Sequence, residues 1–184
     1  FDSDGNSLGG EQLVNSSITG DQWISSVAMN DSGEFVVGWR DDSQAGELYM
    51  QLFHADGTAN GGEIQIPSSP TAVANYPQVA IDDAGNVTAV WQDQSDSSDY
   101  AIVARQFDSS GTPLGAQFLV NTHEQWYQEY PAISMNGDGQ FVVIFTDYDA
   151  NGDGEESVEM RRFGGATTES GGAASFDFVL DTQP

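Results

Sequence analysis

The sequence predicts an all-β protein: three tandem units of four short strands, arranged as β-propeller blades, with a β-trefoil as the alternative. Three observations carry this prediction. Phe1, Phe53, Phe107 and Phe163 recur at intervals of 52, 54 and 56 residues. The glycines and aromatics between them recur in register. No stretch keeps helical periodicity over as many as ten residues.

The correspondence runs along the whole unit. Gly5 matches Gly57 and Gly111, Gly9 matches Gly61 and Gly115, and Val27 matches Val79 and Ile133. Gly33, Gly85 and Gly139 follow, then Trp39, Trp91 and Phe145, then Asp41, Asp93 and Asp147. From the marker Phe to the second aromatic, every unit has the same length. All variation lies between that aromatic and the next marker, a span of 14, 16 and 18 residues. Side chains alternate along a strand with period two, so insertions in pairs preserve register. The variable segment therefore reads as a hairpin tip, a place where binding residues often sit.

The expected strands come in four sets. The first is Gln12–Asn15, matched by Ile64–Ile66 and Phe118–Asn121. The second is Ser26–Met29, matched by Gln78–Ile81 and Ala132–Met135. The third is Phe35–Arg40, matched by Val87–Gln92 and Phe141–Thr146; the fourth is Leu48–Phe53, matched by Ile102–Phe107 and Val158–Phe163. Asn30-Asp31-Ser32-Gly33 and its counterparts, between second and third strands, have tight-turn chemistry. The third strands, FVVGW, VTAVW and FVVIF, are apolar at nearly every position, as a strand covered on both faces should be. Stacked blades cover both faces, whereas a trefoil strand offers mostly one to its core. The units are 1–53, 53–107 and 107–163, followed by a linker-like 164–184 in which 175–181 alternates like a last strand. Three blades do not close a ring, so a second copy of the chain, or further units, is expected beside them.

Composition narrows the partners. Twenty-nine acids face four Arg and no Lys, for a net charge of −25. That repels nucleic acid and anionic membrane surfaces and favours cations. There is no Cys, and two His are too few for a His-rich zinc site. No apolar run is long enough to span a membrane. The balance suits a secreted protein of a saline habitat.

The pattern F-D-x-x-G-x-x-L-G, L-V-N, P-x-V/I and G-x-F-V-V-x-W is clearest at Phe107-Asp108, Gly111, Leu114-Gly115, Leu119-Val120-Asn121, Pro131, Gly139 and Phe141-Val142-Val143. It resembles the propeller-like tandem repeats of very large secreted bacterial proteins of the adhesin-like and calcium-dependent, hemolysin-type class. The resemblance covers about 1–163. Copy two departs from it at Asn60 and Pro67. The closing Phe178-Val179-Leu180-Asp181-Thr182-Gln183-Pro184 is similar to the junction that introduces immunoglobulin-like repeats in such proteins. The resemblance implies extracellular, calcium-rich surroundings and an adhesive or scaffolding role, and carries over no catalytic residue.

Two candidate sites stand out. Asp147, Asp149, Asn151, Asp153 and Glu155 alternate along a loop with Gly152 and Gly154. This spacing puts hard oxygens where a calcium loop of the EF-hand type has them, with Glu156 as a further donor. The bidentate Glu of that motif is missing, since Val158 occupies its place. The alternative is a solvated acidic hairpin tip. Trp23 and the Trp126-Tyr127 pair do not correspond between units and fall in connections before the second strand. Unrepeated aromatics there suit sugar stacking, or the packing of a blade edge. No nucleophile elbow, phosphate loop or His-based dyad is present, and the four Arg are scattered. The expectation is a non-enzymatic, calcium-stabilised extracellular module for adhesion or scaffolding, partnered by calcium and by glycans or another copy of the chain. A carbohydrate-binding module is the alternative, and part of a propeller glycoside hydrolase a further one.

Overall fold

The computed structural model describes residues 4–5, 9–44, 47–66, 74–94, 100–122, 126–148, 152 and 154–164. These residues form three antiparallel sheets, and the architecture is that of propeller-like blades. Blade I orders β1 (Gln22–Met29), β2 (Phe35–Asp41), β3 (Glu47–Phe53) and β4 (Ala59–Gln65). Blade II orders β5 (Ala74–Ile81), β6 (Val87–Asp93), β7 (Ala101–Phe107) and β8 (Phe118–Leu119). Blade III pairs β9 (Gln128–Met135), β10 (Phe141–Tyr148) and β11 (Glu156–Phe163).

The sheets are cut from the chain one strand out of step with the Phe-to-Phe period. Ile64 pairs with Met50 of the preceding unit, and Phe118 with Ala104. The first expected strand of each unit is thus the outer strand of the blade before it. Gln12–Asn15 is not a strand. β5 contacts both β1 and β9, so the first strands of the three blades line one edge of the stack.

Hairpin register follows the paired insertions. Phe35 faces Phe53, Val87 faces Phe107 and Phe141 faces Phe163, although the loops between differ in length. The marker phenylalanines stack on their partners, with ring centroids 4.7 Å apart for Phe35–Phe53 and for Phe141–Phe163. In the turns after the inner strands, Gly33, Gly85 and Gly139 take φ near +80° (84°, 81° and 78°), a conformation glycine adopts without a steric penalty. The side chains of Asn30, Asp82 and Asn136 accept hydrogen bonds from the amides of Glu34, Asn86 and Gln140, closing each turn.

Two apolar layers hold the blades together. Val36, Leu48, Met50 and Leu52 of blade I pack with Val79, Ile81, Ala89 and Trp91 of blade II. Val90, Ile102 and Ala104 of blade II pack with Phe141, Val143 and Phe145 of blade III. Gly38 permits close approach, since a Cβ there would lie 3.0 Å from Val79 Cγ1. Polar fasteners repeat as well. Asn30 Nδ2 donates to Asp82 O (3.1 Å), and the Asp83 amide to Gly137 O (3.1 Å). Arg105 reaches Ile66 O of blade I, and the equivalent Arg161 reaches Val120 O of blade II. Burial holds the Arg161 guanidinium below its usual pKa.

Candidate functional site

The inner strands share one irregularity. Register slips between Trp23 and Ser26, between Asn75 and Gln78, and in β9 opposite Ile144 and Thr146. Within each bulge a non-glycine residue has positive φ: Ile24 (51°), Tyr76 (52°) and Tyr130 (56°). Such backbone costs about 1–3 kcal/mol per residue and persists only where its surroundings impose it. Bulges re-aim side chains and interrupt pairing, which suits the proline that follows at 77 and 131. Trp23, Asn75 and Glu129 occupy the equivalent position just before each strained residue, all at the same end of the blades.

Around Glu129 the aromatic side chains converge. Tyr76 and Tyr130 meet edge to face at 5.0 Å, bringing blade II to blade III. Tyr127 lies between Tyr100 (5.4 Å) and Tyr148 (6.1 Å). Backbone bonds from Gln128 N to Tyr100 O and from Tyr148 N to Tyr127 O, each 3.0 Å, fix this group. Trp126, Tyr127 and Tyr130 remain exposed. Glu129 of β9 pairs across β10 with Thr146, and Glu156 of β11 with Tyr148. Burial, and then the negative charge of Glu156, pushes the Glu129 carboxyl above the usual carboxylate range. A hydrogen bond to Glu156 raises the Tyr148 phenol, and the charge of Glu129 raises that of Tyr130. The raised Glu129 carboxyl thus lies among exposed rings, within the field of Glu156.

The site extends to blade I through Arg40. Its Nη1 donates to Ala74 O (3.2 Å) and to Asn75 Oδ1, and its Nε pairs with Asp42 at 2.8 Å. The guanidinium covers the Trp23 ring at 5.4 Å, while Trp23 Nε1 donates to Asp42 Oδ2 (3.0 Å). Trp23 therefore stands within strand β1 rather than in a connection, braced on one ring face and exposed elsewhere. Trp126 and Tyr127 directly precede β9, as a connection, and belong to the Glu129 group. Sequence reasoning missed Glu129, Tyr76, Tyr100, Tyr130 and Tyr148. The repeated Tyr-Pro at 76–77 and 130–131 was the available signal.

Of the expected calcium ligands, Asp149, Asn151 and Asp153 lie outside the described residues. Asp147 is buried at the end of β10, while Glu155 and Glu156 are exposed, Glu156 opening β11. Among the described residues, no three His, Asp or Glu side chains are grouped so as to hold a metal ion. Asp41 and Asp93, equivalent to Asp147, are also buried. Asp41 Oδ1 accepts from Ser43 N (2.8 Å) and Gln22 Nε2 (3.3 Å). Burial alone would raise its pKa, but these hydrogen bonds hold it below the usual value. Asp93 Oδ2 accepts from Trp91 Nε1 (2.9 Å).

No protein-family model matches the chain, and no curated protein matches it. Solved structures do. An endo-arabinase from Bacteroides thetaiotaomicron aligns with a TM-score of 0.51 at 15% identity, over 88% of this chain and 62% of the arabinase. An endo-1,4-beta-xylanase from the same organism aligns at TM-score 0.48 and 13% identity, over 90% and 62% of the two chains. A GH43 endo-arabinanase from Bacillus licheniformis aligns at 0.45 and 13%, over 76% and 52%. The chain thus spans about half to three-fifths of the length of these proteins. The first alignment supports the propeller architecture; the other two are too loose to add weight. These neighbours are polysaccharide hydrolases. The arabinase that shares this fold stands against the expectation of a non-enzymatic, calcium-stabilised adhesive module, and against the expectation that the chain is no enzyme.

Proposed function

We propose that this chain forms a three-bladed arc of a propeller glycoside hydrolase that binds a polysaccharide across the bulged end of its inner strands. The observation that carries the reading is Glu129, a half-buried carboxyl whose pKa is raised by burial and by the charge of Glu156, directly before the strained Tyr130 of β9. Glycoside hydrolysis needs such a pair, one group retaining its proton and one ionised. Glu129 donates its proton to the departing glycosidic oxygen as the C–O bond breaks, and water adds to the sugar carbon while giving up a proton to Glu156. Glu156, held by Tyr148, is the second carboxylate. Tyr127, Tyr130 and Trp126 supply flat surfaces for sugar rings, and Trp23 a further one across blade I. The arabinase likeness supports arabinan-type polysaccharides as the first substrates to try.

The test is release of reducing ends from arabinan and xylan by the wild type and by Glu129→Gln. Loss of at least about 100-fold with binding retained fits general acid catalysis, whose usual contribution is about 10²–10⁴-fold. Binding by both forms with cleavage by neither would leave a carbohydrate-binding module, a reading favoured by the exposed Trp23, Trp126 and Tyr127.

Calcium in the 147–156 loop belongs to the same proposal, supported by its oxygen spacing. Millimolar calcium added after chelation should raise the melting temperature. A secreted location is supported by the Lys-free, Cys-free composition and by the likeness to secreted repeats.

A further inference from the structure

We propose that a second copy of this chain covers both ends of the three-blade stack, closing a six-bladed ring. The inference is independent of the glycan-binding reading and rests on repeat-equivalent positions that differ sharply in exposure. At the junction of blades I and II, Leu48 and Met50 are fully buried; at the next junction their counterparts Ile102 and Ala104 are too. In blade III the same positions hold Val158 and Met160, 75% and 64% exposed, with Ile144 beside them. The opposite faces behave alike. Val79 and Ile81 of blade II are buried against blade I, whereas Val27 and Met29, their counterparts in blade I, are 68% and 65% exposed.

Each end of the stack therefore displays one half of a contact that the molecule makes twice internally. The blade III half and the blade I half are complementary, and a single chain carries both. That is what selects a second copy over an unrelated partner. The contact is head to tail, and such contacts form rings when the rotation closes. Two arcs of three blades meet at two equivalent junctions, and six blades lie within the range propellers use. Closure also extends the functional end. The Arg40–Asn75 contact of blades I and II corresponds, at the new junction, to Thr146 beside the partner subunit's Trp23. The Trp23 platform of one copy then continues the Tyr148–Glu156 group of the other.

Two chains of net charge −25 repel each other, so added salt should strengthen the pairing. The test is solution mass by light scattering over a range of protein and salt concentrations. The expected particle has twice the 19.7 kDa chain mass. Val27→Asp and Met160→Asp should each give monomers with unchanged circular dichroism, since both side chains are exposed in the single chain. Mixed together, the two variants should pair again through the one junction left intact in the mixed dimer. A wild type that stays monomeric throughout, a dimer that survives both substitutions, or an open-ended series of larger species would overturn the proposal.

Discussion

Glu156 acts on Glu129 across the sheet of blade III: its negative charge, added to burial, raises the Glu129 carboxyl above the usual carboxylate value. The two residues belong to β11 and β9, separated by β10, and lie 27 positions apart in the chain. Tyr148 of β10 is hydrogen-bonded to Glu156 and so ties it to the strand that lies between.

This coupling gives a pH signature. Glu156→Gln removes a negative charge, so the Glu129 pKa should fall. The alkaline limb of any hydrolytic activity should move to lower pH. Stability should respond in the matching direction. A carboxyl whose folded pKa is raised costs nothing below its unfolded pKa and destabilises the fold as pH rises through the folded value. Glu129→Gln should therefore be more stable than wild type at neutral pH, with the gap closing below about pH 4. Urea denaturation at several pH values reads this directly, and equal stability throughout would count against a buried, coupled Glu129.

Asp41 has the opposite sign. Its folded pKa is lowered, so the stability it contributes is present above the usual carboxylate value and lost as pH falls through the folded one. Asp41→Ala strips partners from the Ser43 amide and the Gln22 side chain. A loss of about 1–3 kcal/mol at neutral pH is expected, shrinking in acid.

Gly38→Ala should loosen the first junction. The new methyl meets Val79 Cγ1 at 3.0 Å and Ser26 Oγ at 3.3 Å, which forces a small shift of blade II against blade I. Overpacking of this kind costs about 1–3 kcal/mol. A matching Val79→Ala should recover part of the loss, and a double-mutant cycle measures how much.

Loop length between Asp93 and Ala101 offers a test of register. Two residues inserted there should leave the melting temperature nearly unchanged, because Val87 can still face Phe107. One residue should be more damaging, since a slip by one turns every side chain of an arm to the wrong face. Comparable losses from both insertions would show that the loop absorbs odd lengths.

The bulges explain why the functional end was harder to read than the fold. Strands β2, β6 and β10 announce themselves as apolar runs, and the glycine turns mark their starts. The inner strands lose their alternation at Ile24, Tyr76 and Tyr130, so their first residues look like loop. Trp23 is the case in point: an apparent loop aromatic that is a strand residue pinned by Arg40 and Asp42. Full burial of β6, implied by its composition, holds because blade II has a neighbour on each side. β10 is also rich in apolar residues, yet Ile144 is exposed, since among the described residues no sheet packs on that face.

By itself the sequence determined the repeat, the strands, the turns and the register of each hairpin, because these depend on local periodicity and on residues spaced at fixed short intervals. Only the tertiary structure decided which strand closes which blade, and that the Glu129 carboxyl is raised above its usual pKa. Both depend on burial and charge contributed by residues far apart in the chain. Glu129 is unremarked in the sequence and distinctive in the fold because β10 and β11 bring Glu156 to it and exclude part of the surrounding water.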